Sequence, residues 1–370
     1  MTQSEQILLS LIRQSLWGDQ IVDWTDADRE KVYEEACAQA VSGLLPPLSV
    51  DEEIQRNVLF IQYTEAETDL FELFQKEQIP LVILKGCAAA VYYPEPYRRS
   101  MGDYDFIVPT VFFDKARKLL EDNGYVPHNV PEVIEREIQF DKDGQEYELH
   151  YRFSDPDLDI EKYITDGMNQ IEFGRIDDHQ FPMLPPLANG MVFLAHMRHH
   201  LQMGLGLRQI IDWMMYCDKV LDDGFWDNEF QAAAEETGLK TLAVTVTYMC
   251  QKYLGLKQTI TWCKDAEEEL CDVLIDSLLT SGNFGKKQGV GYNVEKTVTS
   301  FKKQGVFRYL QLAGENNWEA YHKHPSLKPF CWVYQVFRYT KQGFRRKGQL
   351  KSDMDRGRKR YEMMRKLGID

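Results

Sequence analysis

The strongest constraint on the fold of this chain is a change of hydrophobic period at Pro80. Before it, apolar residues recur at helical spacing, with Ile7, Leu8, Leu11, Ile12 and Leu16 on one face of a first segment. "TDADREKVYEEACAQAV" continues the pattern behind a Thr25 or Asp26 cap, and a long stretch from 52 to 76 completes it. After Pro80 the runs become short and β-like. "LVIL" and "FIV" read as buried strands, and "REIQFDKDGQEYELHYRF" as a hairpin turning at "DKDG". Residues 111 to 123 read as a helix stopped by Gly124, and "IEFGRIDDHQFPMLPP" as a second hairpin. From Leu187 the helical period returns, broken near Gly204 and Gly206, at Gly224 and Gly238, and in "SGNFGKKQGVGYN". The expectation is an α+β fold. A small mixed β-sheet core at 79–185 lies between a helical segment at 1–78 and a helical half at 186–370.

Composition narrows the function classes. Apolar runs stay far below the roughly 18 residues a membrane span needs, so no membrane partner is expected. The seven cysteines are scattered without a C-x-x-C pair, which fits a reducing, cytoplasmic setting better than a disulfide scaffold or zinc ribbon. A net charge of −15 disfavours non-specific nucleic-acid binding by the whole surface. Only the end turns basic, with "FRRKG" and "RGRKR", which fits either an anionic partner or a solvated helix with a charged face. Motifs for P-loops, dinucleotide folds and hydrolase elbows do not occur.

Acidic pairs of the D-x-D form recur along the chain, but only Asp103 and Asp105 enter a β-run, "GDYDFIV". Strand alternation places both carboxylates on one face, with Tyr104 and Phe106 on the other and the Cα atoms roughly 6.5–7 Å apart. Two carboxylates so placed can converge on divalent cations, and their oxygens are the hard ligands that Mg²⁺ prefers. "YELHY" puts Glu148 and His150 on one strand face, and Glu148 completes the set if its strand pairs beside the aspartate strand. The plain alternative for Glu148 is an exposed strand residue paired with a nearby cation.

Leu84-Lys85-Gly86, Tyr93-Pro94, Arg98 or Arg99, and Gly102-Asp103-Tyr104-Asp105 together resemble the core of the bacterial uncharacterised nucleotidyltransferases. These belong to the superfamily typified by DNA polymerase β. "EYELHYRF" resembles the family's third-acid strand, and "HMRHHLQMGLGLRQIIDW" its helical region, through His196, Arg208 and Asp212. The likeness runs from about residue 5 to about residue 220. It implies that Asp103, Asp105 and Glu148 bind two Mg²⁺ ions, with Mn²⁺ as the alternative. An acceptor hydroxyl would then attack the α-phosphate of an NTP donor, and pyrophosphate would leave. The acceptor (protein, RNA or small molecule) is left open, as is the oligomeric state.

The same likeness assigns the phosphates to Lys85, Gly86, Cys87, Arg98, Arg99 and Gly102, and the acceptor side to His150, His196 and Arg208. Each has a plainer role. Gly86 fits a simple left-handed turn, and the cations can merely neutralise the aspartates. Tyr92, Tyr93 and Tyr97 fit packing better than base stacking. His196 and His200, at i and i+4, lack the accompanying ligands of a zinc pair, and Arg208 and Asp212 form a simple helical ion pair. Cys87 stands where the superfamily carries Gly or Ser, and the gap to Asp103 is longer than usual. A module that keeps the fold and binds nucleotide without turnover is therefore the competing expectation.

Overall fold

The computed structural model describes residues 1–19, 24–128, 130, 134, 136–153, 158–257, 259–283, 287, 305–344 and 350–369. Three N-terminal helices come first: α1 (Gln3–Trp17), α2 (Asp26–Ala38) and α3 (Val50–Lys76). Seven strands then form one mixed sheet: β1 (Val82–Leu84), β2 (Tyr104–Ile107), β3 (Val126–His128), β4 (Glu137–Lys142), β5 (Gln145–His150), β6 (Glu172–Ile176) and β7 (His179–Met183). Their order across the sheet is β3-β4-β5-β2-β1-β7-β6. The pairs β2/β5 and β1/β7 are parallel and the others antiparallel.

Between strands lie the short α4 (Gly86–Ala90), α5 (Phe113–Asp122) and α6 (Glu161–Met168). Helices α7 (Pro186–Met203) and α8 (Leu207–Lys219) open the helical half. The α+β expectation therefore holds in layout. Both hairpins form, and the first turns through Asp143 at φ 54° and Gly144 at φ 79°, the paired positive φ values of a two-residue β-turn. Two details differ. Edge strand β3 follows directly after Gly124, where no strand is expected, and β2 begins only at Tyr104, so Asp103 lies in the bend before it.

Alternation along the strands divides the sheet into two unlike faces. Ile83, Tyr104, Phe106, Ile138, Phe140, Tyr147 and Leu149 point to one side, into a cluster with Tyr63, Leu70 and Phe74 of α3. Those α3 residues recur at helical spacing, and a fully buried side chain of this size contributes about 1.5–3 kcal/mol. Tyr63, Tyr104 and Tyr147 stack in series, with ring centroids 4.2 and 4.5 Å apart. Val82, Leu84 and Ile107 point to the other side, into the larger core built around α1, α7, α8 and the helices behind them. Asp105, Glu148 and His150 share that second face.

The basic end is partly structural. Within helix Leu350–Lys366, Arg360 is buried and donates to the Leu201 carbonyl, while Met363 and Met364 join the larger core. The "FRRKG" run lies, apart from Phe344, outside the described residues, as does most of the "SGNFGKKQGVGYN" loop. Among the described residues no helix is long and apolar enough to cross a membrane.

Candidate active site

Register brings the acids together. In the parallel β2/β5 pair, Asp105 lies directly across from Glu148, and Ile107 across from His150. On the next strand Glu137 lies opposite His150 and Gln139 opposite Glu148. Successive ladder partners share a face, so Asp105, Glu148, Gln139, His150 and Glu137 form one polar patch on an otherwise apolar sheet. Ligand atoms of Asp105, Glu148 and His150 all lie within 4.8 Å of one another.

The patch borders an open cavity of about 230 Å³ that residues of α7 and α8 also line. Lys85, Gly86, Arg99, Gly102, Asp103, Asp105, Glu148, His150, His196 and Arg208 all line it. The structure does not bring Cys87 or Arg98 there. Cys87 faces the tyrosine side of the sheet, buried beside Glu67. Arg98 pairs with Glu95 at 2.6 Å and Glu53 at 3.5 Å, drawn outward by those carboxylates. Tyr92, Tyr93 and Tyr97 have packing or hydrogen-bonding partners: Tyr92 meets Tyr216 edge-on, Tyr93 donates to Asp212, and Tyr97 to Glu95.

Gly86 has two reasons to be glycine. Its φ is +33°, and a Cβ there would lie 2.7 Å from the Tyr63 hydroxyl. Lys85 just before it holds φ 53°, an uncommon conformation for a side-chain-bearing residue. That turn aims the Lys85 ammonium at Asp105, with Nζ 2.6 Å from Oδ1. Tyr63 also donates to the Asp103 carbonyl at 3.1 Å, so the same hydroxyl fits both segments that frame the site.

Four ionisable groups here perturb one another. Burial, opposed by Lys85 and reinforced by Asp103 and Glu148, pushes the Asp105 carboxyl up to about 7. Burial acts in the same direction on Glu148, but a hydrogen bond to His150 and the Lys85 charge hold its carboxyl well below the usual range. Burial disfavours a charged His150, yet contacts to Asp105 (3.2 Å), Glu137 (3.2 Å) and Glu148 (3.5 Å) raise its pKa well above the ordinary value. Burial would also deprotonate Lys85, and Asp105, Asp103 and Glu148 reverse that. Two cations, Lys85 and His150, thus stand among the carboxylates.

The far wall carries nitrogen donors of a different kind. His196 and His200 contact each other through their Nε2 atoms at 2.7 Å, and burial lowers both pKa values, that of His200 to about 3. A neutral pair suits this contact, since one ring must donate and the other accept. The sign of the pH dependence follows. Unfolded His200 takes up a proton near pH 6.5 and the folded residue does not, so its contribution to stability is lost as pH falls from about 6.5 towards 3. The slope is about 1.4 kcal/mol per pH unit. His200→Gln should flatten melting temperature against pH over that window relative to wild type, and parallel curves would refute the assignment.

The expected Arg208–Asp212 helical pair does not form. Asp212 instead accepts Nε and Nη2 of Arg99, both at 2.8 Å, plus the Tyr93 hydroxyl at 2.7 Å. Arg208, four residues earlier on α8, is left facing the cavity. It donates to the Ser100 carbonyl at 3.3 Å, its Nε has no hydrogen-bond partner, and it pairs with no carboxylate among the described residues. Burial, with the nearby Arg99, lowers its pKa. A half-buried guanidinium with no direct ion-pair partner among the described residues, in a polar cavity, is a place for an anion.

Sequence reasoning passed over Glu137, Arg136, His199 and Phe153, which also line the cavity. Glu137 had a signal: it and Gln139 alternate with Ile138 and Phe140, so the polar face of that strand could have been read with Glu148. The others carry no local mark. The family described as uncharacterised nucleotidyltransferase matches residues 32–255, more than half of the chain, from α2 through the sheet to beyond α8. The matched span starts later and runs further than the likeness drawn from motifs alone. No curated protein matches the chain.

Proposed function

The chain belongs to this nucleotidyltransferase family, and on that premise we propose that it moves a nucleoside monophosphate from an NTP to a hydroxyl acceptor in the cavity above Asp105 and Glu148. The observation that carries the reading is the side-by-side placement of those two carboxylates on parallel strands, in a cavity also lined by an arginine that forms no direct ion pair among the described residues. The donor set fits Mg²⁺, with Mn²⁺ as the alternative. Asp105 and Glu148 bring hard oxygens within 4.8 Å of each other, Asp103 lines the same cavity, and the Lys85 and His150 contacts mark where positive charge sits among them. Those three residues would hold the ion, which when bound neutralises phosphate charge and makes a hydroxyl a better nucleophile.

The chain's own groups supply the rest. Arg208 and Lys85 bring positive charge to opposite walls of the cavity, where a triphosphate needs it. Gly86 lines the cavity through its backbone while its missing Cβ leaves room for the Tyr63 hydroxyl behind the turn, and Gly102 brings the loop within 3.4 Å (measured from an ideal Cβ) of the Arg208 guanidinium. His196 and His200 stay neutral on the α7 wall, and the ring that donates in their mutual contact keeps one nitrogen able to accept a hydrogen bond from an acceptor hydroxyl without repelling the cations.

Thermal unfolding against ATP, GTP, CTP and UTP, with and without Mg²⁺, tests the reading. One NTP at 100 times its Kd should add about 2.7 kcal/mol, in the presence of Mg²⁺ only. Arg208→Met should weaken that nucleotide by about 10- to 100-fold, the value of a charge-assisted hydrogen bond. The variant should lose little stability, because it removes a half-buried charge that forms no direct ion pair among the described residues and gives up one long hydrogen bond to the Ser100 carbonyl. Mg²⁺-dependent binding with no transfer of label to any acceptor would instead favour a nucleotide-binding module without turnover. No shift with any NTP would overturn both.

A further inference from the structure

A second cluster of ligand-type side chains lies on the tyrosine-bearing face of the sheet, behind the Lys85–Gly86 turn. Glu67 of α3, Cys87 of α4 and His179 at the start of β7 present one carboxylate oxygen, the thiol sulfur and a ring nitrogen within 4.8 Å of one another. Cys87 is fully buried and Glu67 is 1% exposed. None of the three lines the cavity described above.

The hydrogen bonds around His179 assign its tautomer. The Thr68 hydroxyl donates to the Thr64 carbonyl at 2.8 Å, so its oxygen accepts from His179 Nδ1 at 2.9 Å. Nδ1 therefore carries a hydrogen, and Nε2 is the ring atom that faces Glu67 Oε1, 2.8 Å away. A ring nitrogen and a carboxylate oxygen at that distance hold a proton, or another positive centre, between them. Glu67 Oε2 is buried with no hydrogen-bond partner. The Cys87 thiol lies beside that carboxylate, and burial first, then Glu67, push its pKa well up. A carboxylate, an imidazole nitrogen and a thiol thus lie within 4.8 Å of one another with only protons to reconcile them.

We propose that Glu67, Cys87 and His179 form a binding site for a single transition-metal ion of the zinc class, separate from the nucleotidyltransferase cavity. Mixed sulfur, nitrogen and oxygen donors select Zn²⁺ over Mg²⁺. In a tetrahedral site with bonds of about 2.0–2.3 Å, ligand atoms sit about 3.3–3.8 Å apart, so the three side chains need only small adjustments. Thr68 supplies the outer hydrogen bond that metal-bound histidines usually make through their second nitrogen. Binding releases the Cys87 thiol proton and the proton held between Glu67 and His179, leaving thiolate, carboxylate and neutral imidazole around the ion, with water in the fourth position. The ion ties α3, α4 and β7 together directly behind the turn that aims Lys85.

Cobalt substitution of the full-length protein tests this. Chelator-treated protein titrated with Co²⁺ should bind one equivalent with a thiolate-to-cobalt charge-transfer band and tetrahedral d–d bands, and Zn²⁺ should displace it. Cobalt held by the Asp105 cavity has no thiolate and gives no such band. Cys87→Ser should abolish the band. Thr68→Val keeps all three ligands and should retain the band with about 10- to 100-fold weaker affinity, which guards against a Cys87 variant that fails to fold. A band that survives in Cys87→Ser, or none in the folded wild type at stoichiometric Co²⁺, overturns the site and leaves a proton between Glu67 and His179. Neither result bears on NTP binding.

Discussion

Asp105→Asn is expected to lower nucleotidyl transfer by about 10³-fold or more, because on the proposed reading it removes a carboxylate that would hold the metal, worth on the order of 4 kcal/mol of transition-state stabilisation. The substitution is nearly isosteric with the protonated acid. Since Asp105 is pushed up to about 7, that acid form is already well populated at neutral pH in the ligand-free protein. The structural cost should therefore fall below the 3–5 kcal/mol typical of a broken buried ion pair. Lys85 loses its 2.6 Å partner but keeps the fields of Asp103 and Glu148. Lys85→Met in the Asp105→Asn background should recover most of the lost stability and none of the activity. Measuring label transfer and urea unfolding on the three proteins separates the two effects. Transfer by Asp105→Asn within tenfold of wild type at saturating Mg²⁺ would remove Asp105 from the chemistry.

Much of this site can be read from strand alternation. Asp105, Glu148 and His150 are polar at positions where every second residue is apolar, and that period alone puts them on one sheet face. The strand pairing that places Asp105 opposite Glu148 comes from the parallel β2/β5 ladder, which closes over some 43 residues and leaves no local trace. Cys87 shows where spacing misleads. It follows Lys85 and Gly86 in sequence, but the sharp turn sends its side chain through to the opposite face, towards Glu67 and His179. Arg98 and Arg99 were indistinguishable as neighbours in "YRRS". Only the tertiary fold turns one out to Glu95 and the other in to Asp212. Asp212 itself has an i−4 arginine ready on its own helix, and the local rule for helical pairs fails because Arg99 offers a bidentate, buried alternative.

Removing that alternative should give a large stability loss. In Arg99→Met, Asp212 keeps only the Tyr93 hydroxyl, and a buried carboxylate without its guanidinium costs about 3–5 kcal/mol. Against a total of about 5–15 kcal/mol for a typical domain, that is enough to shift the urea midpoint far to the left. Asp212→Leu added to Arg99→Met should restore most of the loss, since replacing both partners by apolar groups leaves no orphaned charge. The effect reaches function through position. The Arg99–Asp212 pin joins α8, which carries Arg208, to the segment that runs into Asp103 and β2. The double variant should therefore be stable yet bind NTP more weakly, with KM raised more than kcat is lowered, because the two walls of the cavity are no longer held in register. If Arg99→Met alone costs less than about 1 kcal/mol, Arg208 has swung onto Asp212 in its place. Arg99→Met/Arg208→Met would then reveal the full penalty, and nucleotide affinity would already have fallen in the single variant, because the guanidinium that faced the cavity had been taken from it.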